Sequence, residues 1–228
     1  RQIYTSQIDW SAQIVEDATL EDLDPEAIMI ARKGFKERFP QFSADVDNWA
    51  DSVFLDRANL TQDGMVTRTA LLLVGKREKA HKLGHIAQIV WKCYQDKETF
   101  GDIFTIPFIK ATTDVLGCIR NYRFKIYPHN SMIPAEVLKY DTRSILEGMH
   151  NCILHQDYVC NERILVIEDN DKLTFENAGG FYEGDYEEYI TGQKTPKRYR
   201  NPFLAKAMDN VKNHTDRKSG SAGMPRPI

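Results

Sequence analysis

The stretch that decides the fold is EGMHNCILHQDY, residues 147–158, because it places polar side chains on one side of an otherwise apolar helix. Glu147, Asn151 and His155 are four residues apart, and at about 100° per residue each step of four rotates only about 40° around a helix. The apolar residues between them predict a helix over 142–154. A carboxylate, an amide and an imidazole can therefore converge on one ligand.

These residue types suit a ligand that carries phosphate and magnesium. The amide oxygen of Asn151 is a hard ligand for Mg²⁺, which keeps several waters and shares phosphate oxygens. One turn away, the carboxylate of Glu147 can orient or deprotonate a water. His155 has a second interpretation, since an imidazole near a helix C-terminus often makes a local hydrogen bond or caps the helix. The whole stripe is also compatible with the solvated edge of an amphipathic helix, and spacing alone does not decide between the two.

Two strands and a loop follow this helix. RILVIED and KLTFE alternate apolar and polar residues around an NDK turn, which predicts a β-hairpin ending in ENAGG. Gly179 and Gly180 let the backbone approach a ligand closely, and the amide of Asn177 can meet a purine edge. RNPFLAKAMDNV then predicts another helix, with Asn201 at the N-cap and Pro202 at the first helical position.

The residues upstream predict both helices and strands. A helix is expected over 25–38, preceded by Thr19 as a candidate N-cap, and a second helix near 44–57. The apolar run Thr69–Val74 lies between turn signals and predicts a buried strand. GHIAQIVWKCY predicts a further strand, and a helix is expected to start near Pro107.

Composition narrows the class of protein. With 228 residues and 42% hydrophobic content, the chain can bury one large core or two modest ones. Its net charge is −3, so any contact with nucleic acid is expected to be local or outside this chain. No apolar run reaches the roughly 18 residues of a membrane span. Four cysteines without a CxxC pair predict reduced thiols in a cytoplasmic protein, and the start, without Met or a signal sequence, predicts an internal fragment.

Three motifs in order, RSILEGMHNCILHQDY, LTFENAGGF and YRNPFLAKAM, carry a resemblance to a known family. They resemble the C-terminal domain of bacterial RecG-related transcriptional regulators, often named ATP-dependent DNA helicase-like proteins. That domain has a divergent GHKL-type ATPase fold, and its motifs read R-E-x3-N-A-x2-H-R-D-Y, N-P-G-G and R-N-P. LTQDGMVTRTALLLVGK is similar to the family's middle segment, so the resemblance covers roughly residues 60–212.

The resemblance implies ATP and magnesium as cofactors. Asn151 would hold Mg²⁺ and phosphate, and Glu147 would activate water. Asn177, Gly179 and Gly180 would form the loop on the adenine side, while His155 belongs to the same helix motif as a nucleotide-binding candidate. DNA is implied as a partner only through domains outside this chain, such as an AlbA- or Schlafen-like module.

This sequence departs from the family pattern at several positions. Asn177 stands where ordinary GHKL proteins carry Asp, and Gln156 replaces the arginine of the HRDY motif. Gly148 lies inside the helix, at a cost of about 1 kcal/mol relative to a good helix former. SGSAGM, residues 219–224, only loosely resembles a Gly-x-Gly lid. No GxxxxGK[ST] loop occurs, so a helicase motor is not expected.

The predicted fold class is α+β, in three units. Residues 1–59 are a connecting and helical segment from an upstream domain, residues 60–128 a small mixed α/β middle unit, and residues 129–228 a two-layer GHKL-like α/β sandwich. The predicted function is a fragment of a transcriptional regulator that binds ATP with magnesium, with weak ATPase activity left open. The alternative is a non-catalytic ATPase fold that serves as a dimerisation or docking scaffold. The basic run KTPKRYRNP is either a solvated loop or a phosphate contact.

Overall fold

The computed structural model describes residues 9–95, 98–127, 134–180 and 199–211. Helices and strands are mixed along these ranges, which confirms the predicted α+β class. The described helices are Pro25–Arg38 (α1), Asp51–Arg57 (α2), Arg68–Val74 (α3), Phe108–Cys118 (α4), Thr142–His155 (α5) and Pro202–Val211 (α6). The described strands are Thr61–Gln62 (β1), Met65–Val66 (β2), Gln88–Gln95 (β3), Glu98–Thr105 (β4), Arg123–Ile126 (β5), Ala135–Leu138 (β6), Ile164–Glu168 (β7) and Leu173–Glu176 (β8).

A four-stranded mixed sheet forms the centre, in the order β4-β3-β7-β8. β3 pairs antiparallel with β4 and parallel with β7, and β7 pairs antiparallel with β8. The parallel pair needs a long crossover, which contains α4, the separate β5–β6 hairpin and α5. Strands from both sides of residue 128 therefore share one sheet, and the division into three units stays a prediction.

Helices α4 and α5 pack against each other and against strands of this sheet. The residues through which α5 enters the core share helical spacing and almost complete burial: Ile145, Met149, Cys152 and Ile153. Opposite them, Val166 of β7 pairs with Phe175 of β8, so both side chains project from the same face of the sheet. The result is a layer of helices on a layer of strands, with β8, the edge strand among the described strands, beside α5.

The strand predicted for Thr69–Val74 is wrong, because these residues lie in α3. All six are buried, so the apolar run has no polar face from which a helical period could be recognised. The overlooked signal is Thr67, whose side chain accepts a hydrogen bond from the N–H of Ala70 at 3.2 Å and caps the helix.

Two upstream boundaries also differ from the prediction. The helix expected near 44–57 is shorter, since a separate 3₁₀ turn at Val46–Asn48 precedes α2. At the start of α1, the cap is Asp24 and not Thr19: an Asp24 carboxylate oxygen accepts from the N–H of Glu26 at 2.9 Å. The predicted extents of α1, β3, α4, α5 and the β7–β8 hairpin are confirmed to within a few residues.

The two ends of the described chain meet at α6. A carboxylate oxygen of Asp9 accepts from the N–H of Phe203 at 3.0 Å, and the hydroxyl of Ser11 accepts from the N–H of Leu204 at 3.1 Å. These bonds satisfy N–H groups that have no partner inside the first turn of a helix. Among the described residues, none of the helices is both long and apolar enough to cross a bilayer.

Candidate functional site

The predicted stripe lies along the side of α5 next to the edge strand. A Cβ atom on Gly148 would lie 3.0 Å from the ring of Phe175 in β8, so this glycine marks where helix and strand touch. At about 100° per residue, Asn151 points only about 60° away from that direction. Glu147 and Asn151 are exposed and His155 is half-buried. The stripe therefore rotates from solvent toward β8 as it approaches the end of the helix.

The loop after β8 is bonded to the turn after α5. Ala178 is buried; its N–H donates to the side-chain oxygen of Gln156 at 2.8 Å, and its carbonyl accepts from the N–H of Asp157 at 3.0 Å. Beside it, the Asn177 amide is half-buried and donates to the Ala178 carbonyl at 3.1 Å. The structure thus brings the predicted loop to the C-terminal end of the predicted stripe.

Gln156, which departs from the family's arginine, has a structural role here. Its side chain is 1% exposed, and its amide nitrogen also donates to the carbonyl of Glu162 at 2.8 Å. Both ends of the amide are used, so Gln156 joins the Ala178 loop to the segment that leads into β7. A neutral amide suits this position because a buried charge would cost far more.

Arg200 connects the third motif to the other two. One guanidinium nitrogen pairs with Asp157 at 2.8 Å, and another donates to the carbonyl of Gly180 at 2.9 Å. Between them, Gly179 has φ +102°, and a Cβ there would lie 3.0 Å from the Cβ of Asp157. Only glycine fits without strain. Around the Cβ position of Gly180, in contrast, no atom of the described residues lies within 4 Å, and Gly180 is exposed.

Asn201 occupies the predicted N-cap position of α6, but its side chain serves another helix. The amide nitrogen donates to the carbonyls of Leu154 and Gln156, at 2.9 Å each. These carbonyls lie in the last turn of α5 and at its C-cap, where carbonyls lack partners within the helix. Asn201 therefore caps α5 from outside, while Asp9 and Ser11 cap α6. All three resemblance motifs meet at this point.

His155 is half-buried at the end of the stripe, beside Tyr199. Its ring centroid lies 5.8 Å from that of Tyr199, with 33° between the planes. Burial lowers the pKa of His155 below its ordinary value, and the nearby positive charge of Arg200 lowers it further. The neutral form of the imidazole is therefore favoured. The position near the C-terminus of α5 would allow a cationic helix cap, but the lowered pKa disfavours it.

The stripe offers two oxygen ligands, from Asn151 and Glu147. This number fits a magnesium ion whose remaining ligands are phosphate and water. Within the described ranges, no group of three His, Cys, Asp or Glu side chains could hold a metal ion. Asn151 and Glu147 offer an amide and a carboxylate with Cβ atoms about 6 Å apart on adjacent turns. Mg²⁺ commonly takes one or two protein oxygens and completes its shell with phosphate and water.

Several predicted features cannot be placed. The lid candidate at 219–224 and the basic residues Lys194, Lys197 and Arg198 lie outside the described residues. Sequence reasoning did not predict the joining role of four residues that hold the site together: Gln156, Asp157, Arg200 and Asn201. Their signal was present, since each belongs to one of the quoted motifs, HQDY and YRNP.

Comparison with known proteins adds two likenesses. A family described as a domain of unknown function, DUF8451, matches residues 1–89. A crystal structure of the DIP2311 protein from Corynebacterium diphtheriae is similar in fold, with a TM-score of 0.68 and 17% sequence identity. That match covers 90% of this chain and 39% of the other, so this chain spans well under half of its length. No curated protein matches the chain.

Proposed function

We propose that α5, β8 and the Asn177–Gly180 loop form a binding site for ATP with Mg²⁺ in a GHKL-like fold. The observation that carries this proposal is the convergence of the three motifs through side-chain and backbone hydrogen bonds around Gln156, Asp157 and Arg200. Sequence segments about 20 residues apart are held in one place, next to an exposed stripe of oxygen donors. The layer of α4 and α5 on a four-stranded sheet supports the two-layer arrangement that the resemblance implies.

In this proposal each described residue has a separate task. Asn151, exposed on the β8 side of α5, would hold Mg²⁺ through its amide oxygen, and the ion would neutralise charge on the phosphates. Asn177 and the exposed Gly180 end of the loop would meet the base. His155, neutral and beside Tyr199, would contact the nucleotide as a hydrogen-bonding group and not as a cation.

Hydrolysis is a separate step that the same helix supports. Glu147 is exposed one turn before Asn151, where its carboxylate can accept a proton from an attacking water. The new bond joins the water oxygen to the γ-phosphorus while the bond to the ADP oxygen breaks. The Glu147→Gln variant should therefore bind ATP as the original chain does, yet release phosphate more than about tenfold more slowly. Equal phosphate release by both would remove Glu147 from this role.

The biological setting is inferred from the resemblance. The nucleotide would bias a DNA-binding domain outside this chain, in a cytoplasmic transcriptional regulator. This role needs binding that changes the protein's conformation, and it does not need rapid turnover.

The test is calorimetric titration of Mg²⁺ with a non-hydrolysable ATP analogue into the chain and into Asn151→Ala. A matched control is Asn170→Ala, which removes an exposed amide in the β7–β8 turn. We expect binding that is lost in Asn151→Ala and unchanged in Asn170→Ala. Equal binding by all three proteins would overturn the assigned site, and no binding by any of them would overturn the proposed function of this chain.

A scaffold function has two observations in its favour. The loop's bonds to Gln156, Asp157 and Arg200 are all internal, so the motifs also make sense as structural joints. Asn177 in place of the GHKL Asp points the same way. A scaffold predicts that Asn151→Ala preserves regulation by the full-length protein while deletion of this domain abolishes it.

A further inference from the structure

We propose that Trp10, on the N-terminal segment (residues 9–15), is a positioning residue for the Asn177–Gly180 loop. The inference rests on the proposed function, because it names how that nucleotide site is connected to the upstream part of the chain. The loop would then keep its binding geometry only while the N-terminal segment is docked.

Trp10 stacks directly on the residue that completes the HQDY motif. Its ring lies parallel to that of Tyr158, with centroids 4.4 Å apart and 13° between the planes. Both side chains are buried, at 7% and 2% exposure. The indole N–H donates to a ring nitrogen of His85 at 3.3 Å, and the guanidinium of Arg68 lies 5.0 Å from the Trp10 ring. Trp10 is thus held in place by His85 and Arg68 and also by Tyr158.

Tyr158 connects Trp10 to the loop through the turn after α5. Its hydroxyl donates to the carbonyl of Ile153 at 3.0 Å, which holds the turn against the end of α5. The preceding residue, Asp157, donates to Ala178 through its N–H and pairs with Arg200 through its carboxylate. If Tyr158 loses its stacking partner, the turn that carries Asp157 is less constrained, and the loop bonded to it loosens as well.

The segment around Trp10 is tied to α3. The N–H of Arg68 donates to the carbonyl of Gln13, and the hydroxyl of Thr69 donates to the carbonyl of Ser11, at 2.9 Å each. These partners lie within the residues that match DUF8451. Because coupling between two sites is reciprocal, a nucleotide that orders the loop should also tighten the packing of Trp10 against Tyr158. In this way nucleotide binding would change the packing of the upstream part of the chain.

The experiment measures native-state amide hydrogen exchange, without nucleotide, in the original chain and in Trp10→Ala, Trp10→Phe and Trp49→Ala. Trp49 is a matched control, since it packs on Phe35 and Phe42 and makes no described ring contact with Tyr158. Exchange at Ala178 is expressed relative to Val166 in the buried strand β7, which reports global unfolding. A purely global loss of stability cannot raise this ratio, so a higher ratio reports local opening of the loop.

We expect Trp10→Ala to raise the Ala178 ratio by about tenfold, and Trp10→Phe to restore it because a ring still stacks on Tyr158. Trp49→Ala should leave the ratio unchanged. An Ala178 ratio that rises no more in Trp10→Ala than in Trp49→Ala would overturn the proposal.

Titration with the magnesium nucleotide separates this proposal from the proposed function. If the original chain does not bind the nucleotide, the proposed function fails, while the exchange ratios still decide the role of Trp10. If it binds, Trp10→Ala should weaken the affinity by about tenfold and Trp10→Phe should not. Unchanged affinity in Trp10→Ala would overturn the link between the N-terminal segment and the site.

Discussion

The side-chain oxygen of Gln156 accepts a hydrogen bond from the N–H of Ala178, 22 residues away, at 2.8 Å. Replacing Gln156 by Leu removes this acceptor and the donor to Glu162, and leaves the buried N–H of Ala178 and the carbonyl of Glu162 without these partners. We expect the free energy of unfolding in urea to fall by about 2 kcal/mol. Gln41→Leu is the control at an exposed position and should change it by less than about 0.5 kcal/mol. Equal effects would show that the Gln156 bridge adds nothing.

A buried carboxylate on β7 depends on one arginine. Glu168 is fully buried and accepts from the Arg120 guanidinium at 2.9 Å and from the Trp91 indole at 3.3 Å. Arg120→Ala leaves that charge unpaired and should destabilise the fold by about 3 kcal/mol. Adding Glu168→Gln neutralises the charge and should recover part of the loss, measured by chemical denaturation.

The control for this pair is an ion pair of the same chemistry at the surface. Arg123 and Glu136 lie 3.3 Å apart with side chains 69% and 50% exposed. Water screens this pair, so Arg123→Ala should cost less than about 0.5 kcal/mol. A loss as large as that of Arg120→Ala would contradict burial as the cause.

Gly148 tests how closely α5 approaches β8. Alanine favours a helix by about 1 kcal/mol over glycine, but its methyl group would lie 3.0 Å from the Phe175 ring. We expect crowding to prevail, so that Gly148→Ala lowers the thermal midpoint. Gly117→Ala in α4, where the same methyl group meets open space, should raise it. A higher midpoint in both variants would mean that Phe175 moves aside freely.

Acid stability depends on Asp22. Lys82, which lies 2.9 Å away, the N–H of Thr19 and Lys79 hold the pKa of this carboxyl well below its ordinary value of 3.8. Because the folded-state pKa is depressed, the stabilisation is present above the ordinary pKa and is lost as the pH falls below about 4. Asp22→Asn should reduce the slope of unfolding free energy against pH in that range.

The matched control for this pH dependence is Asp45→Asn, at an exposed carboxylate. Its slope should equal that of the original chain. Equal slopes for the Asp22 variant and the original chain would show that Asp22 does not couple folding to pH.

Local patterns predicted the site helix well, and contacts between distant segments were harder to foresee. Residues 142–154 show both the helical spacing of apolar residues and a polar side, so α5 and the exposure of Asn151 could be predicted from the sequence. The role of Gln156 did not, because its partner at Ala178 lies beyond a hairpin whose register the sequence leaves open. Thr69–Val74 was assigned to a strand because complete burial removes the polar face that distinguishes a helix from a strand.

The bonds from Asp9 and Ser11 to the start of α6 span 194 and 193 positions. During synthesis, Asp9 leaves the ribosome long before Phe203 is added, so these two bonds form only after Phe203 and Leu204 have been made. Trp10 meanwhile lacks Tyr158 as well, so during translation the segment around Trp10 can bond to α3 but not yet to Tyr158 or to α6. We therefore expect closure between the two ends to be a late folding event, since contacts so distant in sequence carry a large loop-closure cost.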